Sequence, residues 1–191
     1  MKKTLLTISL LALIVVTNGQ TFDLGVKAGY NTSKISADLN TIKADSKGGY
    51  NFGAFARLGG KHIYLQPEFL YVVRNGGFSV GSSTGAIKMK SIQVPVLLGL
   101  KLIDLKIATI RAFTGPAISF STGYESDKSF TYNFNNSTWD YQFGIGVDVL
   151  MFTFDVRKEW GLSKSFDTTN PSSNFTSKGN TFSVNLGFKF L

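Results

Sequence analysis

The segment WDYQFGIGVDVLMFTFDVRKEW, Trp139–Trp160, alternates without a break through its first half. Trp139, Tyr141, Phe143, Ile145, Val147 and Val149 fall on one side, and Asp140, Gln142, Gly144, Gly146 and Asp148 on the other. A period of two over this length is a β-strand with one apolar and one polar face. Leu150 and Met151 leave room only for a tight turn, so the next strand returns antiparallel. That strand sets Phe152, Phe154 and Val156 against Thr153, Asp155, Arg157 and Glu159. Large aromatics crowd the apolar face, while glycine and unlike charges occupy the other. An aromatic face of this kind suits lipid as its solvent.

The rest of the chain repeats the pattern. Alternating segments run over Phe22–Asn31, Gly49–Leu58, His62–Arg74, Met89–Lys101, Ile107–Ser121 and Asn180–Leu191. With the hairpin they make eight strands. The connections alternate in length. Gly59-Gly60-Lys61, Leu102–Lys106 and Leu150-Met151 are short, whereas Thr32–Gly48, Asn75–Ala86, Thr122–Thr138 and Gly161–Gly179 are long. Short turns at one end and long loops at the other predict an all-β, eight-stranded antiparallel up-and-down transmembrane barrel, with the long loops extracellular. Pro67, Pro95 and Pro116 fall in three successive strands. A closed barrel has no edge to hide a missing N–H, so a local bulge is expected at each.

Met1–Gly19 reads as an N-terminal signal peptide. Lys2 and Lys3 precede the apolar run Leu5–Val16, and Thr17-Asn18-Gly19 supplies small residues before Gln20. The run is too short to span a bilayer as a helix. The expected organisation is therefore 1–19 signal peptide and 20–191 barrel domain. The chain has no cysteine, which excludes disulfides, thiolate metal sites and a lipoprotein anchor. Its net charge of +8 is dispersed, with no Lys/Arg run longer than two. That pattern points to lipid headgroups rather than nucleic acid.

Alternation does not by itself say which face is inside. A lipocalin-like barrel would bury the apolar face. However, Gly25, Gly29, Gly53, Gly99, Gly115, Gly144, Gly146 and Gly187 all share the polar face. Glycine weakens a strand, so its confinement to one face implies crowding there. A narrow interior filled by charged side chains requires such gaps, so the polar face is read as the lumen.

Several short motifs carry a resemblance. They are Gln66-Pro67-Glu68, Val94-Pro95-Val96-Leu97-Leu98, Gly115-Pro116, Gly144-Ile145-Gly146-Val147-Asp148 and Gly161-Leu162. In this order and spacing the chain resembles the Bacteroidetes-type outer-membrane β-barrel family, the PorT-like porin-family proteins. The resemblance implies an OmpA/OmpX-like fold, a place in the bacterial outer membrane and insertion by the outer-membrane assembly machinery. It implies no activity. The chain departs from the pattern at its end, where the aromatic is Phe190 and the last residue Leu191.

The inward positions carry Lys27, Arg57, Glu68, Arg74, Arg111, Asp140, Asp148, Asp155, Arg157, Glu159 and Lys189. A plug of paired charges is the favoured reading, because an unpaired buried charge is costly and eight strands leave little lumen. An ion path is the other. His62, the sole histidine, sits by the periplasmic turn Gly59-Gly60, which opposes a His-based catalytic site on the outer side. No metal cluster, cofactor motif or phosphate loop is read. In the long segments Tyr124, Phe130, Tyr132 and Phe134 form a candidate binding surface, and Phe78 and Val80 alternate in the second. Two readings stand for these aromatics: a ribbon extending the strands, or loops packed on themselves. The functional expectation is a non-enzymatic barrel presenting its loops to an extracellular protein or surface ligand, with a small-solute channel as the alternative.

Overall fold

A computed structural model describes residues 21–36, 42–46, 48–80, 83–105, 107–126, 137–162 and 178–191. The leader expected over residues 1–19 lies outside the described residues, as do Phe130, Tyr132 and Phe134. The strands are β1 (Thr21–Ser36), β2 (Ile42–Ser46), β3 (Gly48–Gly59), β4 (Ile63–Val80), β5 (Ser83–Asp104), β6 (Ala108–Ser126), β7 (Ser137–Val149), β8 (Phe152–Gly161) and β9 (Lys178–Lys189). All pairings are antiparallel, and β9 joins β1 while β4 joins β5, so the sheet closes on itself. β3 pairs with the lower part of β4, and β2 pairs with Gly76–Val80 of the same strand. β2 and β3 therefore share one position, and the barrel has the eight staves expected. At the short-turn end of the β1–β9 seam Leu24 N–H donates to Leu191 O at 2.9 Å, and Phe190 N–H donates to Leu24 O at the same distance.

The faces divide as the alternation requires. On β7 burial alternates residue by residue from Trp139 to Val149, with Ile145 56% exposed and Asp148 buried. Phe69, Leu98, Phe154 and Leu186 also face outward, while Arg111 and Asp155 are sealed inside. One exception is Val73, which alternation places outward but which is fully buried. It pairs with Lys90, beside the bulge at Lys90/Ser91.

The inward glycines make room for rings as well as charges. A Cβ on Gly144 would lie 2.5 Å from the Phe113 ring, and one on Gly25 would lie 2.6 Å from the Phe55 ring. Phe55, Tyr64 and Phe113 bend across the lumen over these gaps and are almost wholly buried. The inner core is thus aromatic and ionic together, and side chains fill it from both walls.

Two sequence expectations are corrected. First, Asn75–Ala86 is not a loop. β4 continues through Phe78 to Val80 and β5 begins at Ser83. Likewise β1 reaches Ser36, β6 reaches Ser126 with Tyr124 opposite Met89, and β9 starts at Lys178. Beyond the bilayer a strand needs only a neighbour's free N–H and C=O groups, so apolar alternation lapses while the ladder continues. Second, the prolines make no bulges. Pairing of β4 with β5 stops after Pro67↔Val96 and resumes at Leu70↔Gln93 in the same register. Proline removes a donor but adds no residue, so the ladder is interrupted without slipping. The shifts lie instead at Lys90/Ser91 and Lys101/Ile103. The second turns both Leu102 and Ile103 outward. The tight turn after β7 contains no glycine, yet Leu150 takes φ 53°. A two-residue hairpin favours this left-handed conformation and imposes it on leucine.

Candidate functional site

Side chains from opposite walls meet across the lumen in three levels. At the level nearest the short turns the Asp148 carboxylate accepts from Arg57 Nη1 at 2.5 Å and from Arg111 Nε at 2.9 Å. Arg57 Nε also donates to Gln66 Oε1 at 2.9 Å, and Arg111 donates to Thr153 Oγ1. Asp23 and Lys189 stand at the edge of this group, with Lys189 Nζ 3.5 Å from Asp148.

The middle level is the most enclosed. Arg157 grips Glu68 with two parallel bonds, 2.7 and 2.9 Å, and donates through Nε to Asp155 at 2.7 Å. Lys27 Nζ bridges the same two carboxylates at 2.8 and 3.2 Å. All four side chains are at most 3% exposed. Asn185 Nδ2 donates to Asp155, and Gln66 Nε2 donates to Glu68. Arg111, 3.6 Å from Asp155, links this level to the one below. The cations also lie over rings: Arg157 and Arg111 at 5.0 and 5.3 Å from Phe113, and Arg57 at 4.8 Å from Tyr64. Fork-shaped pairing and ring contact both favour arginine over lysine here.

Toward the extracellular end, Arg74 Nη2 meets Glu159 at 2.5 Å. Gln93 and Gln142 donate to the other Glu159 oxygen at 2.9 and 2.7 Å. Ser119 Oγ donates to Asp140 at 3.0 Å. Between the middle and upper levels lies a cavity of about 20 Å³, lined by Asn31, Asn51, Arg74, Gln142, Glu159 and Asn185 among others. That volume admits one water. Among the described residues, Asn31 Oδ1 and Asn51 Oδ1 are buried without a hydrogen-bond partner.

Of the inward charges named from the sequence, Lys27, Arg57, Glu68, Arg111, Asp148, Asp155 and Arg157 form one connected network. Arg74 and Glu159 pair above it, with Asp140 close by, and Lys189 lies at its lower edge. The uncharged members Gln66, Gln93, Gln142, Thr153 and Asn185 were passed over as site residues. Their inward parity was the available signal. His62 is exposed at the β3–β4 turn, away from these carboxylates. No group of three or more metal-ligating side chains occurs among the described residues. Tyr124 lies on β6, and the other three candidate loop aromatics fall outside the described residues.

A family model described as outer membrane protein beta-barrel domain matches residues 18–167. The crystal structure of the outer membrane protein OprG from Pseudomonas aeruginosa is similar, with a TM-score of 0.58 and 13% identity. The match covers 91% of this chain and 98% of that one. Neisserial surface protein A gives 0.53 at 15% identity, over 91% and 100%. No curated protein matches the chain. At these identities the two structures share the fold alone.

Proposed function

Because this chain belongs to the outer membrane protein β-barrel domain family, and so resides in the bacterial outer membrane, we propose that it is a non-enzymatic barrel closed to solutes that works through its extracellular end. The observation that carries this reading is the middle level of the lumen. There Arg157 of β8 and Lys27 of β1 reach Glu68 on β4, joining distant walls. Within the family we read it as a PorT-like porin-family barrel of the Bacteroidetes type, on the motifs around Pro67, Pro95 and Pro116. Residues 1–19 act as the leader, and the assembly machinery and outer-membrane lipid are its partners during insertion. A small-solute channel is the second reading, favoured by the cavity beneath Arg74 and Glu159.

Planar-bilayer recording separates the two. The wild-type barrel should show no discrete conductance steps at 1 M salt, whereas stepwise ion current would overturn the closed reading. The working surface is tested by deletion. Because β6 is paired as far as Ser126, the cut belongs at residues 127–136, replaced by Asn-Gly. The shortened protein should assemble and keep its heat-modifiable gel mobility, but lose binding to extracellular protein or surface ligand. An assembled variant with its full set of surface partners would remove Phe130, Tyr132 and Phe134 from the binding surface.

A further inference from the structure

Among the described residues, the outward wall is largely apolar between its aromatic ends, and Lys158 is a charged side chain set into it. Lys158 on β8 is exposed and points to the lipid side, in line with Phe154 and Val156. Its neighbours across the ladder are Phe143 on β7 and Phe182 on β9, each about half exposed. Trp160 follows on the same face, and Lys158 Nζ lies 5.1 Å from its ring centroid. Trp160 is nearer the extracellular end, so this contact draws the ammonium toward headgroup depth. A lipid-facing cation becomes tolerable only near the interface. The ring holds one side of the ammonium, and its N–H donors remain available to an anion on the other.

We infer that Lys158, seated on Trp160 between Phe143 and Phe182, is a docking point for a phosphate group of the outer-leaflet glycolipid. The anion is that of a lipid rather than a free ion because the cation stands within an acyl-chain wall. Phe143, Phe154 and Phe182 offer contact to the chains of the molecule whose phosphate reaches the ammonium. A lysine, as a compact point charge, suits a phosphate oxygen without demanding a fixed approach.

Native mass spectrometry of the full barrel in detergent micelles tests this, by titration with bisphosphorylated lipid A and with the same lipid dephosphorylated. Wild type should hold the phosphorylated form about tenfold more tightly, the scale of one charge-assisted hydrogen bond. Lys158→Gln should lose most of that preference, and Lys158→Arg should retain it. Heat-modifiable gel mobility confirms that each variant is folded. Millimolar inorganic phosphate should not displace the lipid. Equal retention of the two lipids by wild type would overturn the inference without any variant. So would an undiminished preference in folded Lys158→Gln, or displacement by inorganic phosphate, which would mark a free-anion site.

Discussion

Arg157→Met is expected to destabilise the barrel by about 3–5 kcal/mol, the usual cost of removing one partner from a buried ionic cluster. The guanidinium donates to both oxygens of Glu68 and to both of Asp155. Without it, two carboxylates that are at most 1% exposed share Lys27, with Arg111 at 3.6 Å from only one of them. Methionine fills much of the volume, so the loss reports charge rather than a void. Lys189→Met is the comparison. Lys189 is 17% exposed, lies 3.5 and 3.9 Å from its partners at the periplasmic edge, and should cost less than about 1 kcal/mol. Denaturant unfolding in detergent micelles, followed by gel mobility, measures both. The double variant Arg157→Met with Glu68→Gln should recover part of the loss, because it removes the stranded charge as well as its partner. Equal midpoints for Arg157→Met and wild type would show that the network does not hold the barrel together.

Ile145→Arg should cost about 2–4 kcal/mol of folding into lipid, because Ile145 lies mid-strand on the outward face. It pairs with Ala112 and Val156, deeper in the wall than Lys158 and Trp160. Ser137→Arg, at the extracellular start of the same strand, should cost no more than about 1 kcal/mol. Reversible folding into lipid vesicles across a denaturant series gives both values. Equal tolerance of the two changes, in a protein that stays soluble without detergent, would contradict lipid solvation of this face.

The division of Trp139–Trp160 into two faces was legible because side-chain direction in a strand depends only on parity. The same parity set Lys27, Arg57, Glu68, Arg111 and Arg157 on one face and Phe69, Ile145 and Phe154 on the other. Turn chemistry showed where the chain reverses at Gly59-Gly60. Leu150 was different: only its short span marked the turn, and its left-handed backbone follows from the twist of the paired strands rather than from the residue. Strand ends were misread at Gly76-Gly77 and at Tyr124. There the reason for continuing lies on the neighbouring strand, whose open backbone groups receive the ladder.

Parity sorts the residues into two faces, and the glycines gathered on the polar face mark that face as the lumen. Register and height decide which of them meet. Lys27 and Asp155 are 128 positions apart, and nothing local to either pairs them. They meet because closure of β9 on β1 sets the stagger of every strand, which brings β1, β4 and β8 to one level of the lumen. Phe113 lies over Gly144 through the register of β6 on β7 alone, and the seating of Lys158 on Trp160 needs only two neighbouring positions on one face. Side-chain alternation is a property of one strand and can be read along it. Contact across a closed ring depends on all eight staves together, and only the tertiary structure supplies it.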